Sequence, residues 1–326
     1  MPDQPVATPQ ADTPVGRFAV VRRALGGRAV RYGFVVVAVG LGAYAVVRQW
    51  PDVRTSLVQI GVLPAIGALV AAVAGLGFAV QVWRVLLAAL GTPLPLRASA
   101  KVVFVGQLGK YLPGSVWPVL AQMELGTTYH VPRTRSATAS VLTMLVSLLG
   151  GLIAALVTLP FLAGAATGYW WAFLAAPVLL AFLHPRLLNP LLDRLLRLAR
   201  RPPLERPLTG GQVMAALGWA MVSWLLYGLQ IWLLAARLGA PDGRTILIAI
   251  GGFAFAWCVG FLVVFAPAGA GIRDLLLVAL LGPVVGVAGA TAVALVSRIL
   301  MTLGDLVLAA VAAWSGRHAV AATVAE

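Results

Sequence analysis

Apolar runs long enough to cross a bilayer recur along this chain and leave it few folds to choose from. A helix needs about 20 apolar residues to span the hydrocarbon core. Runs of that kind lie near residues 30–49, 60–83, 138–160, 169–184, 213–238, 245–266 and 288–314. They are continuous rather than alternating, which excludes a transmembrane barrel. Hydrophobic residues make up 61% of the chain and charged residues 10%, against about 25% charged in a soluble domain. The expected fold is therefore all-α, a polytopic membrane bundle.

Two more segments, 102–123 and 267–285, are apolar but interrupted by proline and glycine. Irregular backbone at membrane depth survives only where protein or a water-filled cavity satisfies it. Both segments read as re-entrant helix–break–helix elements, added to about 7–8 full spans of the kind set by bilayer thickness. The organisation expected is a basic, disordered tail over 1–29, a membrane domain over 30–315 and a short tail over 316–326.

The net charge of +14 is gathered in a few loops, so it reports orientation and contact with anionic lipid rather than nucleic-acid binding. Arg17, Arg22, Arg23, Arg28 and Arg31 place the N-terminus in the cytoplasm, with the 48–59 loop and the 239–244 turn outside. On this count both broken segments open to the cytoplasm. Residues 185–209 alternate arginines with leucines at helical spacing, the pattern of an interfacial amphipathic helix on an anionic leaflet. Trp50, Trp83, Trp117, Trp170, Trp171, Trp219 and Trp314 fall near span ends or breaks, as an aromatic belt requires. Gly282 and Gly286 have the spacing of a close helix contact.

Enzyme signatures are missing. The three histidines are scattered and the single cysteine, Cys258, lies inside an apolar run, so no metal site and no cofactor is implied. Charges within apolar segments are expensive and face cavities or partners. The first such group is Gln107, Lys110, Tyr111, Pro113, Gly114, Ser115, Gln122 and Glu124. Pro113 removes a donor and Gly114 permits a sharp turn, which frees backbone groups beside the Lys110 ammonium. Its functional reading is recognition of a phosphate or carboxylate; the rival is a lysine snorkelling to the interface. The second group is Gly269, Gly271, Arg273 and Asp274, where a glycine-rich break opens a helix. Unpaired N–H groups there suit an anion, and Arg273 suits a forked phosphate contact. The third is Arg298 and Asp305, seven residues apart on one helical face. They are too far apart to bridge each other, so each needs another partner.

The stretch Gly109-Lys110-Tyr111-Leu112-Pro113-Gly114-Ser115-Val116-Trp117, followed by Pro267-Ala-Gly-Ala-Gly-Ile-Arg-Asp274, resembles the transmembrane region of lysylphosphatidylglycerol synthases. The second motif departs from the family pattern at Ala268, where a glycine is usual, and at Asp274, where glutamate is usual. The resemblance covers about residues 30 to 315. It implies two re-entrant helices around a cavity and a lipid-translocating or lipid-binding role in a bacterial plasma membrane. In the bifunctional synthases this region is similar to a flippase for aminoacylated phosphatidylglycerol. The chain has no room for a synthase domain beside it, so it is not expected to aminoacylate lipid.

The function expected is translocation of an anionic or lipid-linked head group between leaflets, without catalysis. The partners implied are a membrane phospholipid or lipid-linked substrate, and a separate lipid-modifying enzyme. Two alternatives stand: a membrane-embedded partner of another protein, and a lipid-linked glycosyl or acyl transferase component, for which Glu124 and Asp274 are the carboxylates available.

Overall fold

The computed structural model describes residues 47, 50–111, 116–162, 177, 181–198, 207–239, 242–262 and 271–324. The expected tail 1–29, nearly all of the expected first span at 30–49, and most of the expected span at 169–184 lie outside these residues. So do Pro113, Gly114, Ser115 and Gly269. The described residues form an all-α bundle, five of whose helices are long and apolar enough to cross a membrane.

In chain order the helices are α1 (Trp50–Ile60), α2 (Val62–Ala89), α3 (Leu96–Gln107), α4 (Trp117–Thr127), α5 (Arg133–Leu162), α6 (Pro185–Leu198), α7 (Gly210–Ala235), α8 (Gly243–Leu262) and α9 (Ile272–Val324). The 48–59 segment, expected as a loop, is instead mostly the helix α1. Asp52 sits in its first turn, where a carboxylate suits the helix dipole, and Val53 and Ile60 are buried. Gly61, at φ 70°, separates α1 from α2. At the other end of the chain, α9 continues through 316–324, part of the expected tail.

Glycines set how the long helices pack. A Cβ on Gly75 of α2 would lie 2.6 Å from the Tyr227 ring of α7, and one on Gly67 would lie 3.5 Å from Leu233. These contacts make α2 and α7 antiparallel. Gly228 of α7 lies against the backbone of Ile250 in α8, and Gly151 of α5 against Cys258 of α8. Such small-residue seams let helix backbones approach where lipid offers no hydrophobic drive to associate. Cys258 is fully buried there.

Trp83 leaves the expected aromatic belt. Trp83 is 1% exposed and its indole N–H donates to Ser140 Oγ at 3.2 Å. Trp219 stacks on Phe78. Trp50, Trp117 and Trp314 are exposed, while Trp170 and Trp171 lie outside the described residues. Within 185–209, α6 exposes Leu187 and Leu191 while burying Leu188. Asn189 ties it to the start of α7 through paired bonds with the Leu208 backbone, at 2.9 and 3.0 Å.

Gly286 is a turn rather than a packing glycine. Its φ of 73° and ψ of 159° interrupt α9, and a Cβ there would meet nothing within 4 Å. Asp274 and Arg298 each stand twelve residues from it, yet their side chains touch. A straight helix would hold them about 36 Å apart. The chain therefore folds back at Gly286 into a short arm, 272–285, and a long arm, 287–324. Only glycine populates such a φ, ψ pair at little cost, so Gly286→Ala is expected to destabilise the protein by about 1–3 kcal/mol. Thermal melting of the purified protein in detergent measures it.

The two broken segments enter the bundle from opposite ends, not from one side as expected from the flanking basic residues. The first follows the Ala89 end of α2. The second is reached through the Leu238–Gly243 turn at the far end, next to which the Gly286 turn also lies, since a Cβ on Gly289 would come 3.3 Å from Leu238. The short arm runs antiparallel to α8, with Gly252 beside Leu280.

Candidate functional site

Helices α3 and α4 have 12 and 11 residues, or roughly 18 Å each, too short to cross a core about 30 Å thick. They pack as an antiparallel hairpin because two glycines let their backbones meet. A Cβ on Gly106 would fall 2.5 Å from Gln122 Cγ, and one on Gly109 would fall 2.8 Å from the Trp117 carbonyl carbon. Gln122 is buried, and the hairpin is anchored through it: Ser140 donates to its Oε1 and Ser136 donates to its backbone carbonyl at 2.8 Å. A buried polar network with every member satisfied fixes one geometry.

A 3₁₀ turn over Leu108–Tyr111 carries Lys110 and Tyr111 at the inner end of this hairpin. Lys110 Nζ lies 2.6 Å from Asp305 Oδ2 in the long arm of α9. The Tyr111 hydroxyl donates to the same oxygen at 2.7 Å, with Thr302 beside it. Asp305 is 5% exposed. Its depth follows from its neighbour Gly304, where a Cβ would meet Leu76 and Val73 of α2 at 3.2 and 3.4 Å. Those two residues are halfway along the 28-residue α2. Lys110 thus stands on a carboxylate level with the middle of α2.

The second broken segment supplies the other half. Gly271, at φ 85°, precedes the short arm and its N–H donates to Asp274 Oδ2 at 3.2 Å. Asp274 therefore caps the arm at its N-terminus, where the dipole also favours a carboxylate. The same oxygen accepts from Arg298 of the long arm. Arg298 and Asp305 share a helical face, and each has its own partner from a broken segment. Arg273 is buried. Its guanidinium lies 3.7 Å from Asp274 Oδ1, too far for a hydrogen bond, and 5.7 Å from the centre of the Phe253 ring.

Lys110, Tyr111, Arg273, Asp274, Arg298 and Asp305 are thus gathered into one polar layer, with Gly271 shaping its edge. Gln107 is on the last turn of α3, just before the 3₁₀ turn. Glu124 is not part of the layer: it is exposed and holds a forked ion pair with Arg133, at 2.9 Å. Phe253 was not anticipated. It is an apolar-core residue by sequence pattern, and nothing local marks it as the ring under Arg273.

The whole layer lies within residues 28–309, which match the family model described as lysylphosphatidylglycerol synthase TM region. The chain belongs to that family. Comparison with curated proteins gives no match. Membership of the lysylphosphatidylglycerol synthase transmembrane family, with five membrane-length helices among the described residues, makes this a multi-pass integral membrane protein related to lipid metabolism. Both motifs behind the earlier resemblance fall inside the matched range.

Proposed function

We propose that the chain translocates a lipid head group between leaflets, using the polar layer as a midway station. The observation that carries this reading is the meeting of two hairpins from opposite ends at buried charge. Lys110 on one reaches Asp305, and Asp274 beside the other reaches Arg298. Broken helices in two halves of a transporter point to its substrate site, and alternating exposure of that site moves the substrate. Lys110, Asp274 and Arg298 keep 28, 22 and 32% of their side chains accessible, so the layer is open to a ligand although it lies at mid-span depth.

Transport is favoured over catalysis by how the carboxylates are held. Asp274 and Asp305 are each engaged by a cation, and Glu124 faces Arg133 at the surface. None is placed as a free acid or base beside the layer.

The test is reconstitution of the protein into vesicles with fluorescent phospholipids, following their loss from the outer leaflet. Wild type is expected to accelerate exchange, and Lys110→Ala and Arg273→Ala to reduce it at least about tenfold, the effect of removing roughly 1.4 kcal/mol of binding. Exchange no faster than in protein-free vesicles would remove the proposal.

A further inference from the structure

The layer holds one cation too many. Lys110 is matched by Asp305 and Arg298 by Asp274. Arg273 has only a shared counter-charge: it stands 3.7 Å from Asp274 Oδ1, while the other oxygen of that carboxylate accepts from Arg298. Among the described residues its guanidinium donates no hydrogen bond, although its side chain is only 10% exposed. The Phe253 ring at 5.7 Å covers it without neutralising it. An arginine stays charged in any protein environment and presents a planar fork of donors suited to two oxygens of one oxyanion. A buried charge whose counter-charge is shared with a second cation is costly, and one negative charge brought to Arg273 would leave the layer neutral.

We propose that Arg273 is the seat of a single monoanionic phosphodiester, and that the layer selects lipids by a net head-group charge of −1. This rests on the head-group reading above and narrows it. A phosphomonoester with two negative charges overshoots neutrality. A zwitterionic head, or one that adds cations to its phosphodiester, brings no net negative charge and leaves the surplus in place. The identity of the alcohol beyond the phosphate is not read by Arg273.

Native mass spectrometry of the full chain in mixed micelles tests this with defined probes. These are phosphatidylglycerol and phosphatidylinositol (both −1), phosphatidylcholine (zwitterionic) and phosphatidic acid near pH 9, where a phosphomonoester carries two charges. Wild type is expected to retain the two monoanionic lipids alike, and roughly tenfold over the others, a difference of about 1.4 kcal/mol. Arg273→Gln is expected to lower their retention to that of phosphatidylcholine. Asp305→Asn raises the surplus to two and is expected to move the preference toward phosphatidic acid, a gain that a misfolded variant cannot mimic.

Equal retention of phosphatidylcholine, discrimination between the two monoanionic lipids, or an unchanged order in Asp305→Asn would each overturn the charge rule. Displacement of the lipid by water-soluble glycerophosphoglycerol would assign the seat to a free anion and overturn the lipid occupant. The two readings fail separately. Lipid exchange indifferent to charge removes this inference and leaves translocation, whereas selective retention without exchange does the reverse.

Discussion

Lys110→Ala is expected to be the most damaging single change in the polar layer, costing about 3 kcal/mol of stability. It leaves Asp305, which is 5% exposed, with the Tyr111 hydroxyl as its remaining bonded donor and Arg273 acting on it only through space. The figure is set at the low end for a broken buried pair, because the Lys110 side chain is 28% accessible. The reverse change, Asp305→Asn, strands a cation that reaches solvent more easily and keeps an acceptor for Tyr111, so its cost should be smaller. The double variant Lys110→Ala/Asp305→Asn should recover about 1–2 kcal/mol relative to the sum of the singles, as groups in direct contact do. Reversible unfolding in mixed micelles measures all three. Strict additivity would mean that the ion pair contributes no coupling to the fold.

Gly228→Ala is expected to destabilise by about 3 kcal/mol, at or above the upper end of ordinary overpacking. The added Cβ would lie 2.5 Å from the Ile250 Cα, and backbone cannot rotate aside as a side chain can. Helices α7 and α8 would have to separate, loosening the core around Phe253, Leu277 and Ile231. Gly218, ten residues earlier on the same helix, is the control, because a Cβ there meets nothing within 4 Å. Gly218→Ala should stabilise by about 0.5–1 kcal/mol through helix propensity alone. Thermal melting of the two variants side by side tests the contrast, and a shared sign would show that the seam does not control stability.

The polar layer was legible in the sequence to the extent that charge in an apolar run is costly. Lys110, Arg273, Arg298 and Asp305 identify themselves that way. Their partners do not, because the pairing of Lys110 with Asp305 joins residues nearly two hundred positions apart. The seven-residue spacing of Arg298 and Asp305 correctly excluded a direct bridge and required outside partners, without naming them. Glu124 was drawn into the group by its nearness to Lys110 in sequence, while the structure pairs it with Arg133 across the short turn between α4 and α5.

The bundle was legible through its apolar runs, and its irregularities much less so. Gly282 and Gly286 have a spacing that serves helix packing and a tight turn equally, and only the backbone angle separates the two uses. Both broken segments were expected to open to one side because spans were counted without the helix reversal at Gly286, whereas their described parts approach from opposite ends. Trp83 looked interfacial because it stands at the end of the expected 60–83 span, but its ring is buried in a cluster with Leu142 and Val213.

The equal spacing of Asp274 and Arg298 about Gly286 also governs how this chain can change in length. Each residue added to a helix advances its face by a turn of about 100° and a step of 1.5 Å. A lone insertion or deletion between Asp274 and Gly286 would carry the carboxylate off the side that meets Arg298. The same holds between Gly286 and Arg298, and only matched changes in both arms come near to keeping the two level. The Gly91–Pro95 connection lies between helices and carries no ion pair to keep level, only the Leu94 carbonyl that accepts from Arg84 at 3.2 Å. Residue count between Asp274 and Arg298 is therefore itself part of what the sequence encodes.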